Sequence, residues 1–446
     1  MELTGKFLLL VLLSSASGLA IKIREPEEAW GYVAVRSNAY MFWWLYHADH
    51  PTKAYTELPL VMWLQGGPGA SGCGFGNFEE IGPLDTDLKP RNTTWLQAAS
   101  LLFVDNPVGT GFSYTTDSSA FAKDVDTVAA DMIVLLKEFF NSKPQFQEIP
   151  FYIFSESYGG KMAASISLAL YKAIQTGSIK CNFGGTALGD SWISPIDSVL
   201  TWGPYLYSIS LLDEGGLAEV QKSANEVLGA MKQGQYVRAT ELWSEAEDVI
   251  EDNTDGVSFY NILTKDSPMK ENPYLINQKL KNLSLGKLYH RHVLAMQRTN
   301  LGELMNGPIR QKLKIIPKNV VWGGQAADVF SSMAGDFMKP VIDTVDELLA
   351  ANVNVTVYNG QLDLIVDTVG QEKWVKQLKW PNLNLFEKQK WTALHVCPKS
   401  TETAAFYKSY ENFSFYWILK AGHMVPSDQG EMSLKMLRRI TNQEKR

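Results

Sequence analysis

The sequence predicts an α/β fold: an open, mostly parallel central sheet covered by helices, with a helical cap inserted toward the C-terminal half. Three observations predict it. Apolar runs at 60–64, 101–105, 151–154, 185–188, 353–358 and 413–418 have strand length, and several are continuous rather than alternating, as in strands covered on both faces. Amphipathic stretches such as 122–140 and 161–175 lie between them, and strand–helix alternation is the pattern of a parallel sheet with helices on both sides. From about 201 to 318 the alternation stops, and the chain turns helical, polar and loop-rich, with helix patterns at 217–232 and 236–252.

The 446 residues divide accordingly into a leader at 1–20, a first core part at 21–200, the cap at 201–320 and a second core part at 321–446, with alternation resuming near Val341. A composition of 45% hydrophobic and 20% charged residues excludes a disordered or collagen-like chain. A net charge of −7 argues against a nucleic-acid partner. Thirteen Trp, 18 Tyr and 20 Phe supply apolar surface for a large core and for pocket walls.

The leader reads as a signal peptide. Lys6 precedes the apolar run 7–13, and small residues fill 14–20, with cleavage points after Gly18 or Ala20. No other stretch approaches the ~20 apolar residues of a bilayer span, so the mature chain is expected to be a soluble product of the secretory route, secreted or lysosomal, with no membrane span. Asn92, Asn282, Asn354 and Asn412 head Asn-X-Ser/Thr sequons and are candidate glycosylation sites. Cys73, Cys181 and Cys397 are odd in number, so at most one disulfide forms.

Four segments carry chemistry. In Leu60-Val-Met-Trp-Leu-Gln-Gly-Gly-Pro-Gly-Ala-Ser71 a strand ends in Gly66-Gly67, and a glycine pair lets a backbone N–H approach a ligand closely. In Phe151-Tyr-Ile-Phe-Ser-Glu-Ser157-Tyr-Gly-Gly160 a buried strand runs into Ser157 and a helix begins at once. That is the setting of a nucleophile elbow; in its usual form, Gly-X-Ser-X-Gly, the first glycine is Ser155 here and the second is kept as Gly159. The N–H groups of Gly67 and Tyr158 are candidate donors to an oxyanion. A nucleophilic serine needs a base, and the base an orienting acid. Val357-Tyr-Asn-Gly-Gln-Leu-Asp363 and Trp417-Ile-Leu-Lys-Ala-Gly-His423 place an acid and a histidine just after strands, where open α/β sheets build their sites. His47, His50, His290, His292 and His395 lack that context and read as surface or packing residues, and Asp367 as a solvated acid. On the residues alone, Glu80 and Glu156 read as unrelated surface acids. No cluster has metal-ligand spacing, so neither metal nor organic cofactor is expected.

Trp63-Leu-Gln-Gly-Gly-Pro-Gly, Glu80-Ile-Gly-Pro, Val104-Asp-Asn-Pro-Val-Gly-Thr-Gly-Phe-Ser-Tyr114, Glu156-Ser-Tyr and Gly422-His-Met together resemble the serine carboxypeptidase family, in the family's order across nearly the whole mature chain. The resemblance implies an α/β-hydrolase fold and release of C-terminal residues from peptides and proteins through an acyl-enzyme. It maps the nucleophile to Ser157, the acid to Asp363, the base to His423 and the oxyanion donors to Gly67 and Tyr158. It also assigns recognition of the substrate carboxylate to Gln65, Glu80 and Glu156, with the family's Asn changed to Gln. Two carboxyl groups held close retain a proton that can be donated to that carboxylate, and the Gln65 amide adds a donor. With no Arg in the set, binding is expected to favour acidic pH. Ser155 and Ala70 also depart from the family, Ala70 standing where a disulfide cysteine is usual. The alternatives are a related acyltransferase that passes the acyl group to an alcohol, or a weakly active or non-catalytic binding protein, against which the complete set Ser157, Asp363 and His423 argues.

Overall fold

The six apolar runs become the six strands of the parallel part of one sheet. The structure, a computed structural model, describes residues 27–265, 283–297 and 300–444. Its strands are β1 (Glu28–Arg36), β2 (Ala39–Tyr46), β3 (Leu60–Leu64), β4 (Ser100–Val104), β5 (Tyr114–Thr115), β6 (Pro150–Glu156), β7 (Asn182–Gly189), β8 (Val355–Gly360), β9 (Thr392–Leu394), β10 (Ala405–Tyr410) and β11 (Phe413–Ile418). They form one 11-stranded sheet in the order β1-β2-β4-β3-β6-β7-β8-β11-β10-β9, with β5 beside β2. Every pairing from β4 through to β11 is parallel, and the strands beyond them at both edges are antiparallel.

Continuous apolar runs follow from a core on both faces. In β3, Leu60, Met62 and Leu64 join one buried cluster while Val61 and Trp63 join the other, because successive side chains of a strand point to opposite faces. The first cluster is completed by helices α1 (Val125–Ser142) and α2 (Tyr158–Gln175), through residues such as Met132, Leu136, Met162 and Ile166. The α1 helix starts at Val125, later than the amphipathic pattern suggests, because Asp124 caps it by accepting from the Thr127 N–H at 2.8 Å. The α2 helix starts three residues before its pattern, directly after Ser157.

Among the described residues, no strand of the sheet lies between Gly189 and Val355. That stretch holds α3 (Pro195–Ser208), α4 (Glu214–Lys232), α5 (Tyr236–Thr254) and further short helices. It is tied to the loops that follow β8 and β11: Phe259 O accepts from the Leu364 and Ile365 N–H groups at 3.1 and 2.9 Å, and Tyr260 O accepts from the His423 N–H at 2.7 Å.

Residues 1–20, read as a leader, and the sequon at Asn282 lie outside the described residues. Asn92 and Asn354 are exposed, and the Asn354 Nδ2 donates to Gly184 O at 2.9 Å. Asn412 is a correction: it is buried, and its Nδ2 donates to Leu349 O and Val353 O at 3.1 and 2.9 Å, so it is not placed to carry a glycan. The three cysteines are free. No helix among the described residues is long and apolar enough to cross a membrane.

Phe154 in β6 is fully buried, 5.2 Å edge-on from Trp95. Phe154→Ala is expected to cost ~3–5 kcal/mol, read as a lowered urea midpoint with an unchanged slope; an unmoved midpoint would contradict this packing.

Candidate active site

One residue separates β6 from α2. Ser157 takes φ 62° and ψ −131°, a backbone state that a non-glycine residue holds only when its surroundings enforce it. Its N–H donates to Gly189 O at 3.1 Å, and its carbonyl accepts from the N–H groups of Gly160 and Trp192, each at 3.0 Å. The loop after β3 closes the turn from the other side. A Cβ on Gly66 would lie 2.6 Å from Ser157 Cβ and 2.9 Å from Tyr158 N, and one on Gly159 would lie 2.3 Å from Leu64 O. Only glycine allows that approach. Ser155 is accommodated where a glycine is usual, its buried hydroxyl donating to Ala187 O at 3.2 Å.

Gly67 (φ 106°) follows Gly66 beside this turn, and Tyr158 is the first residue of α2, whose N–H belongs to those a helix leaves without an internal acceptor. Tyr158 is anchored by groups the sequence reading did not single out. Its hydroxyl donates to Asp336 Oδ2 at 2.7 Å, its ring stacks on Phe337, and buried Lys161 pairs with the same Oδ2 at 2.8 Å. Burial pulls the Lys161 ammonium down to about 8, with Asp336 opposing.

Asp363 and His423 meet as expected for an acid–base pair. Nδ1 of His423 lies 2.7 Å from Asp363 Oδ2, and neither side chain is exposed. Asp363 Oδ1 accepts from the Val366 N–H at 3.1 Å. Because Nδ1 carries the proton toward Asp363, Nε2 is the acceptor; it is buried and has no hydrogen-bond partner. Burial pulls His423 down to about 4, with nearby Asp190 opposing, and burial pushes Asp363 up. Ser157, half-buried, makes no hydrogen bond to Nε2 in this structure, a separation that substrate-free sites often show.

The two glutamates are not surface acids. Glu80, on the short helix Gly72–Ile81, and Glu156, at the end of β6, are both buried and bridged by Gln65. Trp63 Nε1 donates to Gln65 Oε1 at 2.7 Å, which fixes the amide's orientation. Nε2 then donates to Glu80 Oε1 at 3.0 Å and to Glu156 Oε1 at 2.8 Å. Both amide hydrogens are therefore engaged, so Gln65 reaches a substrate carboxylate only by releasing a glutamate. Burial pushes Glu80 up to about 7, and burial with the Glu80 charge pushes Glu156 up as well.

Two further expectations change. Asp367 is fully buried, not solvated: it caps the helix Thr368–Val375 through the Gly370 N–H at 2.8 Å and accepts from Thr201 Oγ1 at 2.8 Å. His292 is buried but does more than pack, bonded to Tyr260 Oη and Glu247 Oε1 at 2.8 Å each, while the Tyr260 ring lies 5.0 Å from that of His423. Asp190, just after β7, lies beside Asp363 and His423 and was not anticipated, although it too follows a strand.

The sheet order, the elbow after β6 and the buried His–Asp pair define the class: an α/β hydrolase. Residues 21–443 match the serine carboxypeptidase family, and the chain belongs to it. It is 67% identical over 441 residues to the retinoid-inducible serine carboxypeptidase of Mus musculus, covering 98% of this chain and 97% of that one. It is 44% identical over 452 residues to serine carboxypeptidase-like 51 of Arabidopsis thaliana, covering 97% of each. The solved structure of Kex1(Δ)p, a prohormone-processing carboxypeptidase from Saccharomyces cerevisiae, shares the fold, with a TM-score of 0.77 at 20% identity over 94% of this chain and 92% of that one.

The contact at Gly66 is testable. Gly66→Ala is expected to displace the turn and lower kcat/KM about a hundredfold, with the circular dichroism spectrum unchanged; undiminished activity would show that the turn tolerates the side chain.

Proposed function

We propose that this serine carboxypeptidase releases C-terminal residues from peptides and proteins through an acyl-enzyme on Ser157, and that it does so at acidic pH. The observation that carries the reading is the buried glutamate pair bridged by Gln65, whose second member is the residue next to Ser157. A proton held between two carboxyl groups is a donor suited to a peptide's terminal carboxylate, and its place beside the nucleophile selects the last peptide bond.

On this reading each residue has a step. Ser157 Oγ attacks the carbonyl of the last peptide bond while His423 Nε2 takes its proton. Asp363 Oδ2, holding the Nδ1–H, balances the imidazolium, and the N–H groups of Gly67 and Tyr158 receive the oxyanion. His423 passes the proton to the leaving amine, and the C-terminal amino acid departs. Water, deprotonated by His423, then attacks the ester, releases the shortened peptide and restores Ser157.

Two ionisations set the pH range. Glu80, raised to about 7, is the first of the pair to ionise; below that pH both carboxyls hold protons, and above it the pair carries a negative charge that opposes the substrate carboxylate. His423, lowered to about 4, is a neutral base above that pH. Both conditions hold between about 4 and about 7, a range that fits an acidic compartment on the secretory route, secreted or lysosomal, toward which the signal-like residues 1–20 point. Among the described sequons, exposed Asn92 is the one best placed for a glycan there.

A bell-shaped kcat/KM profile between these limits is expected for a free-acid peptide, whereas its C-terminal amide should be a poor substrate throughout and show no gain on acidification. Equal cleavage of acid and amide at about pH 5 would remove Glu80 and Glu156 from substrate recognition. Ser157→Ala is expected to abolish hydrolysis and fluorophosphonate labelling while leaving the fold intact; turnover comparable to the parent would sink the assignment of the nucleophile.

A further inference from the structure

Asp190 has no part in the steps above, yet it stands at their centre. It directly follows β7, whose parallel neighbour β8 leads into the turn carrying Asp363, so the two acids leave adjacent strands at the same end of the sheet. Asp190 is fully buried, with its backbone in the left-handed region at φ 42°. Its N–H donates to Tyr358 O at 2.9 Å, and its Oδ1 accepts from the Gly360 N–H at 2.7 Å. Those two bonds fix the backbone and one carboxyl oxygen. The other oxygen, Oδ2, is buried with no hydrogen-bond donor to meet it. Ligating atoms of Asp190, Asp363 and His423 all lie within 4.8 Å of one another.

A carboxylate oxygen buried without a donor is costly, and a second negative charge this close to Asp363 adds to the cost. Two ionised carboxylates both accept and neither can donate to the other. A proton on Asp190 Oδ2 removes both penalties and creates an O–H that can donate to Asp363. The described groups around Asp190 favour keeping that proton: Glu156 at the end of β6, Tyr358 in β8 and Asp363 in the turn after it bring negative or neutral groups, Asp367 acts on Asp363 in turn, and the base His423 opposes. Burial first, and then the Asp363 charge, push the Asp190 carboxyl up, while the hydrogen bond from Asp190 pulls Asp363 back down.

We propose that Asp190 is a positioning residue of the catalytic centre, which stays protonated and donates its O–H to the Asp363 carboxylate. The acid behind His423 is then a carboxylic acid–carboxylate pair with a single negative charge. Without the donor, buried Asp363 holds its negative charge less readily and balances the imidazolium less well.

This rests on Asp363 orienting His423, so the experiment carries a control for that reading. The rate at which a fluorophosphonate labels Ser157 is followed against pH in the full-length protein and in Asp190→Ala, Asp190→Asn and Asp363→Asn. The probe has no terminal carboxylate, so Glu80 and Glu156 do not enter the readout. Asp190→Ala is expected to slow labelling about ten- to a hundredfold at about pH 5, the loss of a hydrogen bond to a charged group. Asp190→Asn supplies an uncharged N–H donor and should stay within about threefold of the parent, with its acidic limb moved by no more than about 0.3 pH units, since one neutral group replaces another. Parent-like labelling by Asp190→Ala, with Asp363→Asn impaired, would overturn the proposal and leave the acid assignment standing. Parent-like labelling by Asp363→Asn would overturn that assignment and this proposal with it. An Asp190→Asn variant as slow as Asp190→Ala, or one whose acidic limb falls by about a unit or more, would show that Asp190 is ionised in the parent and would also overturn the proposal. Should Asp190→Ala fail to fold, the rate and acidic limb of Asp190→Asn decide the question.

Discussion

Ser157 holds φ 62° between a buried strand and a helix, and the rest of the site is arranged around keeping it there. Such a backbone costs about 1–3 kcal/mol and persists only where its surroundings over-determine it. Here they do: Gly189 and Trp192 bond the residue's own peptide groups, and Gly66 closes against its side chain. The turn also decides what its neighbours reach. Glu156, one residue earlier, points to Gln65, and Tyr158, one residue later, points to Asp336. A single reversal of the chain thus sets the proposed nucleophile, one member of the glutamate pair and one proposed oxyanion donor.

The second constraint is a shortage of positive charge. Glu80, Glu156, Asp190 and Asp363 are all out of water at this end of the sheet. Among the described residues, Lys161 is committed to Asp336 and Arg291 to Glu247, and the Arg91 charge only partly offsets the burial of Glu80. Carboxyl groups that can be neither hydrated nor paired retain protons. The same physics underlies the proposed donor role of the glutamate pair, while burial of the imidazole, opposed by Asp190, lowers His423 to about 4.

Much of this was legible in the sequence because it is local. Each strand of the parallel sheet is covered on both faces and reads as an apolar run; Ser157, Asp363 and His423 each follow such a run. The antiparallel edges were harder: β1 and β10 bury few positions and leave no continuous stretch. What joins distant segments was legible only through family resemblance or not at all. Nothing in the spacing brings Glu80, on a short helix after β3, against Glu156. Asp190 and Asp363 lie far apart in the chain and meet because β7 and β8 are neighbours in the sheet. Asp367 has the pattern of a helix cap, an Asp three residues before Gly370, but its burial comes from α3, through Thr201. The bonds from Tyr260 to His292 and to the His423 backbone belong to the helical segment between β7 and β8, whose packing on the sheet no local pattern encodes.

The claim on which the account turns is that Ser157 carries the acyl group of a peptide shortened by one residue. Acid quenching of the protein during turnover of a slowly deacylated peptide, followed by mass spectrometry of the digested adduct, tests it directly. The account predicts an ester on the segment containing Ser157, with the mass of the substrate less its last residue. An adduct on another residue, or one whose mass reports cleavage at an internal bond, would contradict it.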